Sequence, residues 1–281
     1  MLQLRCTNIA AERGNVTAPL ALLLGGLLLA GVMSAAWAVA LRTGQAGWAD
    51  AFWSYGTGAA GVLVALVPIE GSLPERQWLV AALAGIWGLR LGSHIATRAC
   101  STHEDPRYAK LREQWGKDFP RRLLIFLLIQ ALCGLGLALS ILAAAHDPRA
   151  ALGVRDMIGA ALLAVAVLGE GVADRQLHAF GRDPANKGKV CDVGLWRWSR
   201  HPNYFFEWLG WLAYPLIGFE LSGYPLGWGS LVGPLLIYWL LVHASGIPPL
   251  EEHMLRSRGD AFRAYQRRTN AFFPWPPRRD A

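Results

Sequence analysis

Seven apolar blocks, separated by polar and basic loops, dominate this sequence and leave few folds open to it. They run from about Pro19 to Leu41, Ala51 to Val67, Gln77 to Thr97, Leu123 to Ala145, Met157 to Ala173, Tyr204 to Phe219 and Leu226 to His243. A helix needs roughly 20 apolar residues to cross the hydrocarbon of a bilayer. Backbone groups that meet no water must pair within the segment, so such blocks predict helices. The second, fifth and sixth blocks are short, which predicts little tilt or partial residence at the interface. Composition agrees: of 281 residues, 53% are hydrophobic and only 17% are charged, below the quarter usual in soluble domains. The expected fold is an all-α polytopic membrane protein of about seven helices. Residues 1–17 form a polar tail and 18–281 a single membrane-embedded domain.

The net charge of +7 lies in particular loops. Arg98, Arg107, Lys110, Arg112, Lys117, Arg121 and Arg122 follow the third block; Arg175, Arg182, Lys187, Lys189, Arg197 and Arg200 follow the fifth; a third basic group ends the chain. Seven spans put all three on one side, which the positive-inside rule makes cytoplasmic. The N-terminus is then outside and the C-terminus cytoplasmic, and the expected location is a bacterial inner membrane. The charge is thus a topology signal, and without an aromatic-interleaved basic patch no nucleic-acid partner is expected. The apolar run after Thr17 is too long for a cleavable signal peptide. Cys6, Cys100, Cys133 and Cys191 form no CxxC pair, so neither a disulfide framework nor a metal site is expected.

The densest chemistry lies in Gly194–Glu207, where Ser199, Arg200, His201, Asn203, Tyr204 and Glu207 fall within one short run beside Trp196. Pro202 disfavours helix before it and suits the first turn after it. The stretch therefore reads as a helix N-terminus at a membrane edge, a place that favours anions. Interfacial anchoring explains Trp, Tyr and Arg there, but does not call for Asn, His and Glu together.

Elsewhere, Arg90, His94 and Arg98 share a face of the third helix. Charged groups within a span turn toward protein or water. Glu104, Asp105, Arg107 and Tyr108 lie in the next loop, where they either bind one another or touch a ribose or phosphate. Glu170 and Asp174 share a face of the fifth helix, as ligand acceptors or as partners of Arg175 and Arg182. A polar helix is expected from about Leu250, with Glu251, Glu252 and His253 in its first turns. No Walker loop, HExxH or ordered Ser-His-Asp set is present.

Four ordered motifs, Trp87–Leu91, Glu104–Tyr108, Ser199–Tyr204 and Gln266–Phe272, give the chain a likeness to a known group. It resembles the steroid 5-alpha-reductase C-terminal superfamily, and within it the DUF1295 membrane proteins, from about Asp50 to Trp275. The resemblance implies NADPH bound from the cytosol by the part from about 165 to 275. It implies cofactor contacts for Asp174, Asn203, Tyr204, Glu207, Glu251 or Glu252, and Tyr265. The phosphate-gripping residues of relatives would map to Arg182, Lys187, Arg197 or Arg200, with the choice among them open. Trp196, Ser199, His201, Glu104, Arg107 and Tyr108 complete the candidate cofactor set.

Steroid reductases of the superfamily polarise an enone with a Glu in helix two and a Tyr in helix three. This chain lacks both, which argues against a steroid and leaves Asp50, Tyr55 and His94 as catalytic candidates. The expected activity is reduction of a C=C bond in an apolar substrate entering from the bilayer. The superfamily also holds isoprenylcysteine and phospholipid methyltransferases. Arg200-His201-Pro202-Asn203-Tyr204 with Glu251-Glu252 keeps S-adenosylmethionine-dependent methyl transfer as the alternative. A non-enzymatic membrane protein is the third reading.

Overall fold

The computed structural model describes residues 16–101 and 105–278. Among them there is helix and no strand. The helices are α1 (Ala18–Thr43), α2 (Ala49–Leu66), α3 (Pro74–Ser101), α4 (Pro106–Trp115), α5 (Phe119–Ala145), α6 (Val154–Arg182), α7 (Pro202–Trp211), α8 (Ala213–Gly218), α9 (Val232–Trp239) and α10 (Ile247–Arg268). Two compact units result. The first takes the described residues up to Gly153 together with Ile217–Ser230; the second takes Val154–Leu216 and the chain from Leu231 on.

Five stretches, Ala18–Thr43, Pro74–Cys100, Arg107–Ala145, Val154–Arg182 and Pro225–Arg268, are long and apolar enough to cross a membrane. Leu27, Ile129, Leu132, Leu168 and Leu235 lie more than half exposed on them. Such surfaces belong in lipid rather than water. The expectation of seven spans is met only in this coarser form. Helix α2 has 18 residues, about 27 Å at 1.5 Å per residue, and its course is diluted by Asp50, Ser54, Tyr55 and Thr57. The sixth block is broken into α7 and α8. Pro215 has no N–H to give the carbonyl one turn back, and its ring crowds that carbonyl, so the helix cannot run through Leu212 unchanged.

The core of the first unit joins α1, α2 and α5 through Leu29, Met33, Ala60, Leu123 and Leu127. Helices α2 and α3 approach until backbones touch: a Cβ on Gly58 would lie 2.8 Å from the Gly88 Cα. Small residues permit such crossings in membranes, where van der Waals contact holds helices together. The unit's far end is tied by a fully buried Arg76, which donates to the carbonyls of Asp147, Arg149 and Ala151. Next to it the buried His146 ring sits 2.8 Å from the Val64 carbonyl and 2.7 Å from Ser72 Oγ.

In the second unit the apolar course of α9 passes into a π-turn at Leu240–Ala244 and then into α10. Pro248 and Pro249 occupy the first turn of α10, where no donor is needed. Gly259, at φ 51°, kinks it.

Candidate functional site

The Gly194–Glu207 stretch is a knot lashed to α10 and the tail. Gly194 turns the chain at φ 58°, and a side chain there would strike Gln176, whose Oε1 accepts from the Leu195 N–H at 2.9 Å. Trp196 is buried and donates its indole N–H to the Ala173 carbonyl. The Ser199 hydroxyl, also buried, donates to the Phe272 carbonyl and accepts from the His201 N–H. The Tyr265 hydroxyl donates to the carbonyl of Trp196. Every orphan group of this irregular loop that these bonds satisfy would otherwise cost free energy in a buried place.

At the centre stands Glu251. Its carboxylate accepts from Arg200 Nε at 2.7 Å, Arg200 Nη2 at 3.2 Å, His201 Nε2 at 3.0 Å and Gln266 Nε2 at 2.7 Å. Arg200 Nη1 gives its protons to the carbonyls of Gln266 and Thr269. Arg200, expected among the phosphate-gripping residues, thus spends its donors inside the protein, with a side chain only 11% exposed. Of the two tail glutamates, Glu251 enters the network, whereas Glu252 is exposed and pairs with Arg256.

Burial holds the His201 imidazole below its usual 6.5, outweighing the opposite pull of Glu251. The ring is therefore neutral, and its one proton sits on Nε2, facing the carboxylate. Nδ1 is left as a bare acceptor, buried and without a hydrogen-bond partner. The ring stacks on Tyr204, with 5.5 Å between centroids and 12° between planes. Two residues on, Asn203 Nδ2 donates to Asp174 Oδ1 across 3.2 Å, joining α7 to α6. Glu170 and Glu207 are both buried, and Glu207 accepts from the Trp211 indole at 2.9 Å. Arg182 and Lys187 stand exposed at and just beyond the end of α6.

The remaining candidates lie in the first unit. Asp50 accepts from Arg107 Nη2 at 2.6 Å and from the Tyr108 hydroxyl at 3.0 Å. Arg107 also grips Asp105, the N-cap of α4. A proposed catalytic residue and two proposed cofactor residues thus bind one another. Tyr55 lies across Gly92, its hydroxyl 3.0 Å from Ser93 Oγ, and His94 is exposed on α3. Glu104 lies outside the described residues. No group of His, Cys, Asp and Glu able to hold a metal occurs among the described residues.

A family described only as a protein of unknown function, DUF1295, matches residues 36–269. The chain belongs to the DUF1295 family. An uncharacterized protein of Schizosaccharomyces pombe is 38% identical over 84 residues, covering 29% of this chain and 23% of the relative. This DUF1295 chain therefore spans less than a quarter of that relative in the match. No solved structure matches.

Gln266, Thr269 and Gln176 complete the DUF1295 chain's knot, and reading single residues did not place them in it. Gln266 opened a motif already visible in the sequence, Gln266–Phe272. Its link to Glu251, 15 residues earlier, was hidden because the kink at Gly259 breaks the helical register between them. Gln176 carried no signal at all.

Proposed function

We propose that this DUF1295 chain is a membrane-embedded reductase that takes NADPH on its second unit and reduces a C=C bond of an apolar substrate. One observation carries the reading: His201 has a bare, buried acceptor, and two residues on at the start of α7 Asn203 forms a half-buried pair with Asp174. A carboxamide has one acceptor and an NH2 donor: His201 Nδ1 would take the donor, and the second N–H of Asn203 would meet the acceptor. The residues fit the cofactor in that sense. His201, Asn203 and Asp174 would hold the carboxamide end, and Arg182 and Lys187 the phosphates. Bound NADPH supplies a hydride.

The chain's own residues do the rest. Glu251 keeps the His201 proton on Nε2, so that Nδ1 stays an acceptor. Arg200 and Gln266 hold Glu251 in place. A proton donor completes the reduction, and Tyr55 and His94 keep that assignment on their residue types alone, each carrying an ionisable N–H or O–H. The same bare Nδ1 would also accept from the ammonium of S-adenosylmethionine, which makes methyl transfer the second reading.

Thermal unfolding of the detergent-purified protein separates them, with NADPH, NADH and S-adenosylmethionine at matched concentrations. A ligand at a hundred times its dissociation constant stabilises by about 2.7 kcal/mol. A rise with NADPH that Asn203→Ala and Asp174→Asn abolish, while keeping the ligand-free midpoint, is the expected result. A rise with S-adenosylmethionine alone would transfer the proposal to methyl transfer. No rise with any ligand would remove both.

A further inference from the structure

We propose that the tail and the loop before α7 together form a foot that binds the headgroups of anionic lipids. The tail folds back so that the Trp275 N–H donates to the Trp198 carbonyl at 2.9 Å and the Arg278 N–H to the Arg268 carbonyl at 3.0 Å. These bonds gather three large aromatic side chains that remain open: Trp198 is 46% exposed, Phe273 49% and Trp275 66%. Arg197, Arg268 and Arg278 lie beside them and are exposed as well. Only Arg268 has a carboxylate partner among the described residues, the equally exposed Asp192.

Trp rings flanked by arginine suit the water–hydrocarbon boundary, where an amphipathic ring is half wetted and a guanidinium meets phosphate. The height of the foot is set by what anchors it. Phe272 is buried, with its ring 6.0 Å from Phe205, 5.8 Å from Trp208 and 5.4 Å from Tyr238. Tyr238 precedes Trp239, which is 56% exposed on the last turn of the apolar helix α9. The foot therefore lies where a spanning stretch leaves the hydrocarbon.

Charge complementarity selects the occupant. The patch is cationic and apolar at once, a pairing that neither a soluble anion nor a neutral lipid satisfies. Each basic residue near an anionic surface contributes to binding, and the effect fades within a Debye length. The foot is also joined to the site, because Arg200 N–H donates to Asn270 and Ser199 to Phe272. Headgroup binding should therefore be felt as stability of the second unit.

The test uses the full chain in neutral detergent, titrated separately with phosphatidylglycerol, phosphatidylcholine and inorganic phosphate. The unfolding midpoint should rise with phosphatidylglycerol only. The variant Arg268→Gln/Arg278→Gln/Trp198→Ser/Trp275→Ser should lose at least half of that rise. An equal rise with phosphatidylcholine or phosphate, or a variant that keeps the whole rise, overturns the proposal. Should that variant fail to fold, Trp198→Phe/Trp275→Phe is read instead by fluorescence in bilayers containing brominated phosphatidylglycerol. Quenching should be weaker than in the wild type; equal quenching overturns the proposal.

Discussion

Arg200 shows how a residue's type and its partner are separate questions. An arginine at a helix N-terminus beside a histidine suggests an anion site, and sequence alone makes it a phosphate ligand. In the structure it is the main partner of Glu251, which lies 51 residues away. That distance in sequence is what hides the pair. Nothing local says whether Glu251 or Glu252 turns inward, since both occupy the first turns of the same helix. Asp50 is similar: Arg107 and Tyr108 were separable into other roles until the fold placed both on its carboxylate. Ser199, His201 and Asn203 drew notice because their types stand out in so apolar a chain, and Tyr265 only through the resemblance; that Ser199 and Tyr265 bond backbone carbonyls was visible in neither. Breaking one half of a largely buried charge pair costs about 3–5 kcal/mol, chiefly because the other half is left unpaired. Arg200→Ala should lower stability in detergent by an amount of that order, with Glu251 kept only by His201 and Gln266. Arg182→Ala, on an exposed side chain, should leave the unfolding transition where it is. Equal midpoints for the two variants would show that the Glu251 network holds nothing together.

At the scale of helices, apolar block length carried most of the information, and it failed where backbone chemistry overrode it. The blocks at α1, α3, α5 and α6 became stretches long enough to span because nothing interrupts their α-helical ladders, whereas the seventh reaches that length through 3-10, α and π turns in succession. Pro215 interrupts the sixth, and polar residues dilute the second. What block length could not reveal is how the helices meet. The α2–α3 crossing depends on Gly58 and Gly88, where an added Cβ would fall 2.8 Å and 2.7 Å from the opposing Cα. Backbone cannot yield as a flexible side chain can, so the helices must separate. Gly88→Ala should therefore destabilise by about 1–3 kcal/mol, the usual cost of overpacking. Gly31→Ala is the control, since no atom lies within 4 Å of the added carbon on α1. It should be neutral or gain about 0.5–1 kcal/mol from the removed glycine flexibility. Unfolding in graded denaturing detergent measures both. If the two alanine variants behave alike, close approach of α2 and α3 is not what holds the first unit.

For the molecule as a whole, each unit carries one buried neutral histidine among the described residues, and this sets how the protein responds to acid. His146 in the first unit is held below 6.5 by burial, against the pull of the Val64 carbonyl. His201 in the second is held below 6.5 by burial, against Glu251. A histidine lowered in the folded state binds fewer protons there than in the unfolded chain at the same pH. Stability therefore rises with pH through this window. The contribution is fully present above 6.5 and is lost as pH falls from that value toward the folded pKa values. Asp105 acts in a separate window. Burial raises it, but the hydrogen bonds and charge of Arg107 outweigh that and hold it below 3.8. Its contribution disappears only in stronger acid. The unfolding midpoint in detergent should thus be level near pH 8 and decline on the acid side of 6.5. In His146→Gln the decline should be shallower, because the first unit's share is gone. Its neutral-pH midpoint should be lower, because the hydrogen bond to Val64 is weakened. A midpoint that stays level from about pH 8 to pH 5 would mean that neither ring is neutral and enclosed. The acceptor role given to His201 Nδ1 would fall with it.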